Sequence, residues 1–136
     1  MADLTITAAS VIAATDAVTE SRNAGAAITA GQVVYYDSAT DTYKLADSDS
    51  ATAAVRSPRG IALNGGGTGQ PILIIKSGSV TIGATMTAGL AYYVSKTAGG
   101  VCPVADIASG GYATVLGIST STTVFKVNIT ESGVAV

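Results

Sequence analysis

The sequence predicts an all-β protein whose body is a small barrel or sandwich of short strands arranged as two related halves. Glycines and polar turn residues interrupt the chain about every four to eight residues, and β-branched or aromatic residues fill the runs between them. No stretch keeps the 3.6-residue periodicity of an amphipathic helix. The third observation is an internal repeat, because Ile28–Tyr36 and Met86–Val94 both carry Thr-Ala-Gly followed by a tyrosine pair.

The repeat aligns Tyr35 with Tyr93, 58 positions later, and Gly60-Ile61 with Gly117-Ile118, 57 positions later. Each half ends in an apolar run, which is Pro71–Ile75 in the first half and Thr123–Val127 in the second. Fragments of that size cannot bury a good core alone. We therefore expect two lobes, about 24–80 and 81–136, that share one core.

The elements follow from turn chemistry in chain order. Residues 1–23 are predicted to form an extended N-terminal arm, because Asp3–Thr7 alternates polar and apolar residues and the β-branched residues that follow disfavour a helix at 8–18. The body, 24–136, begins near Ala24-Gly25, and Ala51–Ala54 could form one helical turn. The predicted strands are Gln32–Tyr36, Thr42–Leu45, Gly60–Leu63, Pro71–Lys76, Leu90–Val94, Val101–Val104, Tyr112–Ser119 and Thr123–Ile129.

Charged residues make up 12% of the chain, about half the usual share, so we expect part of the surface to be covered in an oligomer. The seven lysines and arginines are scattered and tryptophan is absent, which argues against nucleic-acid binding. The longest apolar runs are far shorter than the roughly 18 residues of a membrane span. The first residues lack the basic and apolar regions of a signal peptide, so we expect synthesis in the cytoplasm.

Enzymatic chemistry has little support. Histidine is absent, so a Ser-His-Asp triad lacks its base. The glycine run Asn64–Gly69 is followed by a strand pattern and no lysine, which predicts a hairpin turn and not a phosphate loop. Cys102 stands alone in an apolar stretch and is predicted to be a buried, unreactive thiol. We therefore expect no catalytic activity and no cofactor.

The one acidic cluster comprises Asp37, Asp41, Asp47 and Asp49. A calcium loop would need a closing glutamate, and none lies between Glu20 and Glu131. These aspartates are interpreted as solvated turn residues, with weak cation binding as the alternative, so no metal site is predicted.

The tyrosines carry most of the aromatic mass. Neighbours on a strand point to opposite faces, so one of Tyr35 and Tyr36, and one of Tyr92 and Tyr93, should face solvent or a partner. Together with apolar residues of the arm, they give the candidate residues for contact with a partner or with another copy of the chain: Leu4, Ile6, Val11, Ile12, Tyr36 and Tyr92.

The stretch Ala24–Asp37, followed by Tyr43-Lys44-Leu45-Ala46 and Arg59-Gly60-Ile61-Ala62, resembles the head decoration, or capsid cement, proteins of tailed bacteriophages. The resemblance covers about residues 24–80 directly and the rest through the repeat. It implies a β-rich homotrimer on the exterior of the virion head, bound to the major capsid protein at local three-fold points. It also implies an N-terminal segment, here 2–12, that adds a strand to the shell. It implies no catalytic residues.

The duplicated second half departs from the shorter, lambda-type members of that group, so a dimer stays open beside the trimer. Two other functions also stay open. One is a receptor- or glycan-binding module of a tail fibre or spike, whose outward tyrosines would stack on sugars, although the lack of tryptophan counts against it. The other is a structural subunit of a tail tube or another shell.

Overall fold

The computed structural model describes residues 3–103, 107 and 111–135, and it confirms the all-β prediction, with 51% of the chain in strands. The helical segments among these residues are two short 3-10 turns, Ala8–Ser10 and Ala53–Arg56, and none is long and apolar enough to cross a membrane. The strands are β1 (Val11–Ala13), β2 (Val18–Ala24), β3 (Val33–Asp37), β4 (Thr42–Leu45), β5 (Pro58–Ala62), β6 (Pro71–Ile82), β7 (Ala91–Val94), β8 (Val101–Pro103), β9 (Tyr112–Ser119) and β10 (Val124–Ala135).

The first lobe is a closed barrel of five strands. The order β2-β4-β3-β5-β6 returns to its start because β2 pairs in parallel with β4 on one side and antiparallel with β6 on the other. Closure leaves these strands without a free edge within the barrel. Its interior is filled by small and branched side chains with one tyrosine: Ala24, Ile28, Val34, Tyr43, Ala62, Ile72 and Ile74.

Strand β6 is long because it serves both lobes. Its first part, Pro71–Ile75, pairs with β2 and β5 in the barrel. Its second part, Ser77–Ile82, pairs with β10 on one side and, near its end, with β1 on the other. The second lobe then continues in the order β6-β10-β9-β7-β8. One continuous strand therefore fixes the two lobes relative to each other.

The internal repeat predicted from sequence is present in the strand pairings. Strands β3 to β6 pair with one another in the same pattern as β7 to β10. The register also repeats. In the first lobe Val33, Val34 and Tyr35 lie opposite Ile61, Gly60 and Pro58. In the second lobe the equivalent residues Ala91, Tyr92 and Tyr93 lie opposite Ile118, Gly117 and Val115. In both lobes the register shifts at the same place, between Val34 and Tyr35 and between Tyr92 and Tyr93. Similar sequences have thus folded into equivalent units, including their bulges.

The expectation of one shared core needs correction. The described residues form two hydrophobic clusters: one lies inside the barrel alone, and the other joins both lobes. The joining cluster contains Ile61 and Ile75 from the first lobe with Leu116, Phe125 and Tyr92 from the second. Closing the barrel separates its interior from this second cluster, because alternate residues of β3, β5 and β6 point inward and outward.

The boundary between arm and body also differs from the expectation. Residues Val18–Ala24 form β2, which is a wall of the barrel and not part of an arm. Upstream, Val11–Ala13 pairs with β6, and Asp3–Thr7 runs extended against the second lobe. The predicted end of one strand, Val104, lies outside the described residues.

Candidate interaction surface

One face of the second lobe is a surface of side chains carried by paired strands. Cross-strand partners point to the same side of a sheet, so the register places eight outward residues together. We call this set the outer sheet face: Ile12 of β1, Ser77, Ser79 and Thr81 of β6, Val124, Lys126 and Asn128 of β10, and Ile118 of β9. The opposite side of the same strands carries Val80, Ile82, Phe125 and Val127, which are buried.

The outer sheet face combines exposed apolar side chains with small polar ones. Ile12 and Ile118 are 64% and 52% exposed, and Lys126 is the one charged member of the set. Around Ile118 and Lys126 the surface forms a shallow hollow of about 530 Å³ that also reaches Val115 and Thr130. The Asp16 carboxylate accepts hydrogen bonds from the backbone and hydroxyl of Ser79, so a negative charge also borders this face. Exposed isoleucines with one pair of opposite charges beside them suit contact with another protein.

The predicted interface residues divide between surface and core. Ile12 lies on the outer sheet face. Leu4 and Ile6 are half-buried against the cluster that joins the lobes. Val11 and Tyr92 are buried in that cluster, with Tyr92 only 2% exposed, so neither can anchor a partner in this conformation. The ring of Tyr92 packs edge-on against Phe125, and its hydroxyl accepts a hydrogen bond from the backbone of Thr87.

The sixth predicted residue, Tyr36, belongs to a charged network at one end of the barrel. Its hydroxyl donates to Asp41 at 2.6 Å, and the guanidinium groups of Arg22 and Arg59 lie 5.6 and 5.3 Å from its ring centre. Arg22 also pairs with Asp41 at 3.2 Å. Cations above an aromatic face hold the ring in place, so Tyr36 is engaged within the chain. Each of the six tyrosines is at least partly buried.

Glu20 is the centre of that network. Arg59 donates to both carboxylate oxygens at 3.1 and 3.0 Å, Tyr43 donates at 2.6 Å from inside the barrel, and Lys76 donates at 3.3 Å. The hydrogen bonds from Arg59, followed by those from Tyr43 and Lys76, lower the pKa of Glu20 to about 2 against the opposing effect of burial. Burial and the Glu20 carboxylate raise the pKa of Tyr43. The arrangement closes the barrel with paired charge, which fits a structural role.

The other residues considered for chemistry from the sequence are the acidic turn residues, Cys102 and the glycine-rich loop, and they lie at separate places in the structure. Asp37 binds Lys44 at 2.7 Å, and among the described residues no cluster of acidic, histidine or cysteine side chains could hold a metal ion. Asp47 and Asp49 lie together in a turn, where burial raises the pKa of Asp47. Cys102 is buried, with its thiol 3.9 Å from the carbonyl oxygen of Val94. The Asn64–Gly69 loop connects the antiparallel strands β5 and β6, as predicted.

Comparison with known proteins gives no match. No protein-family model fits the sequence, and neither a curated protein nor a solved structure is similar to the chain.

Sequence reasoning missed the outer sheet face and the barrel-end network for different reasons. The face depends on strand β6 continuing through Ser77-Gly78-Ser79, residues that by themselves favour a loop. The network depends on β2, whose inward positions Glu20 and Arg22 are charged, so no apolar alternation marks it as a strand. One available signal is the concentration of opposite charges in a charge-poor chain: Glu20 and Arg22 are close in sequence, Lys76 ends a predicted strand, and Arg59 directly precedes another.

Proposed function

We propose that this protein is a capsid decoration protein, which binds the outside of a mature bacteriophage head and stabilises it by bridging major capsid subunits. The sequence motifs that resemble such proteins supply the family hypothesis. The observation that carries the proposal is the outer sheet face, which offers exposed Ile12 and Ile118 on a hydrogen-bonded sheet whose charged groups are Lys126 and the Asp16 carboxylate bound to Ser79. A homotrimer on the head exterior is part of the proposal.

A rigid face suits this role because binding then costs little ordering. The backbones of β6, β10 and β9 are already paired with one another, so the face keeps its shape without a partner. A standard contact of about 800 Å² per partner, at roughly 25 cal/mol per Å², gives about 20 kcal/mol before association costs are subtracted. A net few kcal/mol per site suffices when one oligomer holds several capsid subunits, because the contacts act together.

The position of the first residues changes how the proposal is tested. An arm that reaches freely to the shell is not what the described residues form, since Leu4, Ile6 and Val11 pack against the protein's own body. Deleting residues 2–12 would uncover that core, so loss of head binding in the deletion would also report lost stability. A substitution on the outer sheet face separates the two effects.

Ile118→Asp is the proposed test. Because Ile118 is half exposed and lies on a central strand, the loss of apolar contact and of strand preference should lower the free energy of unfolding by about 1 kcal/mol. Binding to expanded heads stripped of their own decoration protein should fall about 10- to 100-fold, since the variant replaces an apolar contact with a carboxylate that must be desolvated together with Lys126 opposite it, at a cost of about 2 kcal/mol. Co-sedimentation of purified protein with such heads measures the affinity.

Leu73→Asp is the matched control. Leu73 is 40% exposed on the barrel, paired with Ser21 of β2, and lies outside the outer sheet face. This variant should bind heads as well as the unchanged protein. If neither the unchanged protein nor the control binds expanded heads of any tested phage, the proposal of a decoration protein is wrong. If all three bind equally, the outer sheet face is not the contact.

A further inference from the structure

The two lobes differ in how they close. In the barrel, β2 fills the position between β4 and β6. By the repeat, β8 and β10 of the second lobe correspond to β4 and β6, and the second part of β6 takes the place of β2 beside β10. The described pairings do not join this part of β6 to β8, so an opening lies between them. The N-terminal segment Asp3–Thr7 bridges this opening, since the backbone of Leu4 donates to the Val101 carbonyl of β8 at 2.8 Å and that of Thr7 donates to the Gly83 carbonyl beyond β6 at 2.8 Å.

The opening is shaped to receive this segment. The Ser95 hydroxyl donates to the Asp3 carboxylate, with 2.8 Å to each oxygen. Glycines stand where the segment approaches most closely: a Cβ at Gly31 would overlap the side chain of Ile6, one at Gly83 the carbonyl oxygen of Thr7, and one at Gly100 the carboxylate of Asp3. We call this site the cradle, defined by Gly31, Gly83, Ser95, Gly100 and Val101.

The hydrogen bonds of the segment are made in the cradle, while Leu4 and Ile6 also pack against the cluster that joins the lobes. We take the exposed residues that follow it as a hinge. Thr7 and the 3-10 turn Ala8–Ser10 are exposed, and the turn buries no side chain. Hollows of about 430 and 260 Å³ flank the segment, the first against Thr87 and the second against Gln32. Straightening an exposed turn of small residues would free Asp3–Thr7 while β1 keeps its pairing with β6.

We propose that the cradle accepts Asp3–Thr7 of a second copy of this chain, so that neighbouring copies are linked by exchange of their N-terminal segments. A second copy brings the same residues and makes the same hydrogen bonds and packing in trans, so exchange loses no contact. An opening closed by a terminal segment through an exposed hinge is suited to such exchange. The inference concerns the protein alone and does not depend on binding to a phage head.

Disulfide trapping in the full-length chain tests the exchange. Both copies carry Cys102→Ser, because the native thiol lies next to Val101 of the cradle. In this background one differently tagged copy carries Asp3→Cys and the other carries Ser95→Cys, and the two are co-expressed, purified and oxidised. Because each copy has one half of the pair, a disulfide-linked dimer of the two forms only when the segment of one copy lies in the cradle of the other. The expected result is this dimer, seen by non-reducing electrophoresis and lost on reduction.

The matched control pairs Asp3→Cys with Thr40→Cys, which lies in the exposed turn between β3 and β4, at the far end of these strands from Gly31. The dimer should be lost in this combination. A single chain that carries both Asp3→Cys and Ser95→Cys reports whether the segment occupies the cradle at all. An intrachain bond there, with no dimer from the separate copies, would show that the segment stays on its own body and would overturn the proposal. The absence of both bonds would overturn it as well.

Discussion

Gly60→Ala and Gly117→Ala should each destabilise the protein by about 3 kcal/mol or more and lower its melting temperature by about 10 °C. A Cβ at Gly60 would overlap the backbone carbonyl oxygen of Ile75, and one at Gly117 would overlap that of Lys126. A carbonyl inside a strand ladder cannot move aside without breaking its pairing. Thermal and urea unfolding followed by circular dichroism measure both effects.

The two glycines test the repeat because they hold equivalent places. Gly60 lies opposite Val34, and Gly117 lies opposite Tyr92, each one step before the register shift of its lobe. Similar losses are therefore expected from both substitutions. A severe effect at one site and a mild effect at the other would contradict the equivalence of the two lobes.

Gly67→Ala is the control for a general cost of replacing glycine. Gly67 lies in the exposed loop between β5 and β6, and its Cβ would meet only the Gln70 side-chain oxygen, at 3.7 Å, which is ordinary contact. Its effect should stay within about 0.5 kcal/mol. If Gly117→Ala is as mild as this control, the register assigned to β9 and β10 is wrong.

The fold class and most strands could be predicted because they depend on local chemistry. Turns such as Asp37–Asp41 and Asn64–Gly69 follow the β-branched runs of the sequence. In the structure the first turn separates β3 from β4, and the second lies between β5 and β6. The repeat was visible because similar lobes need similar residues at the same bulge, as at Gly60 and Gly117. These signals lie within a few residues of the elements they specify.

What could not be predicted depends on distant partners. The polar run Ser77-Gly78-Ser79 becomes a strand because β10 pairs with it along its length and β2 pairs with it at Ser77. The sequence of the run itself does not indicate these partners. Tyr92 was assigned to an interface, whereas its place in the core follows from Phe125, 33 positions later, packing against it. Adjacent tyrosines show that one must face outward, but the direction is set by the sheet as a whole.

Glu20→Gln should lower the free energy of unfolding at pH 7 by about 2 kcal/mol. The side chain of Glu20 is 17% exposed, and its carboxylate receives hydrogen bonds from Arg59, Tyr43 and Lys76. An amide would offer a neutral oxygen and leave the cations without their counter-charge. A pKa lowered from 4.5 to about 2 corresponds to roughly 3 kcal/mol at 1.4 kcal/mol per unit. The exposure of Arg59 and Lys76 to solvent screens part of this.

Glu131→Gln is the matched control, because Glu131 is an exposed carboxylate on β10, opposite Thr114 of β9. The substitution also removes one negative charge from the protein, so the two variants have the same net charge. Its effect on stability should stay within about 0.5 kcal/mol. A loss in this control as large as in Glu20→Gln would mean that net charge, and not the barrel-end network, sets the difference.

The pH dependence distinguishes lost charge pairing from lost packing. Since the folded-state pKa of Glu20 lies below its unfolded value, the stabilisation by the carboxylate is fully present above about pH 4.5 and is lost as the pH falls toward 2. The pKa values of Asp16 and Asp37 are also lowered, so their protonation destabilises the unchanged protein and the variant alike in this pH range. Their effect cancels when the two free energies of unfolding are subtracted. The difference in free energy of unfolding between the unchanged protein and Glu20→Gln should therefore narrow from about 2 kcal/mol at pH 7 to near zero at pH 2. A gap that stays constant would assign the loss to packing at the barrel end, because protonated glutamate and glutamine are both neutral there.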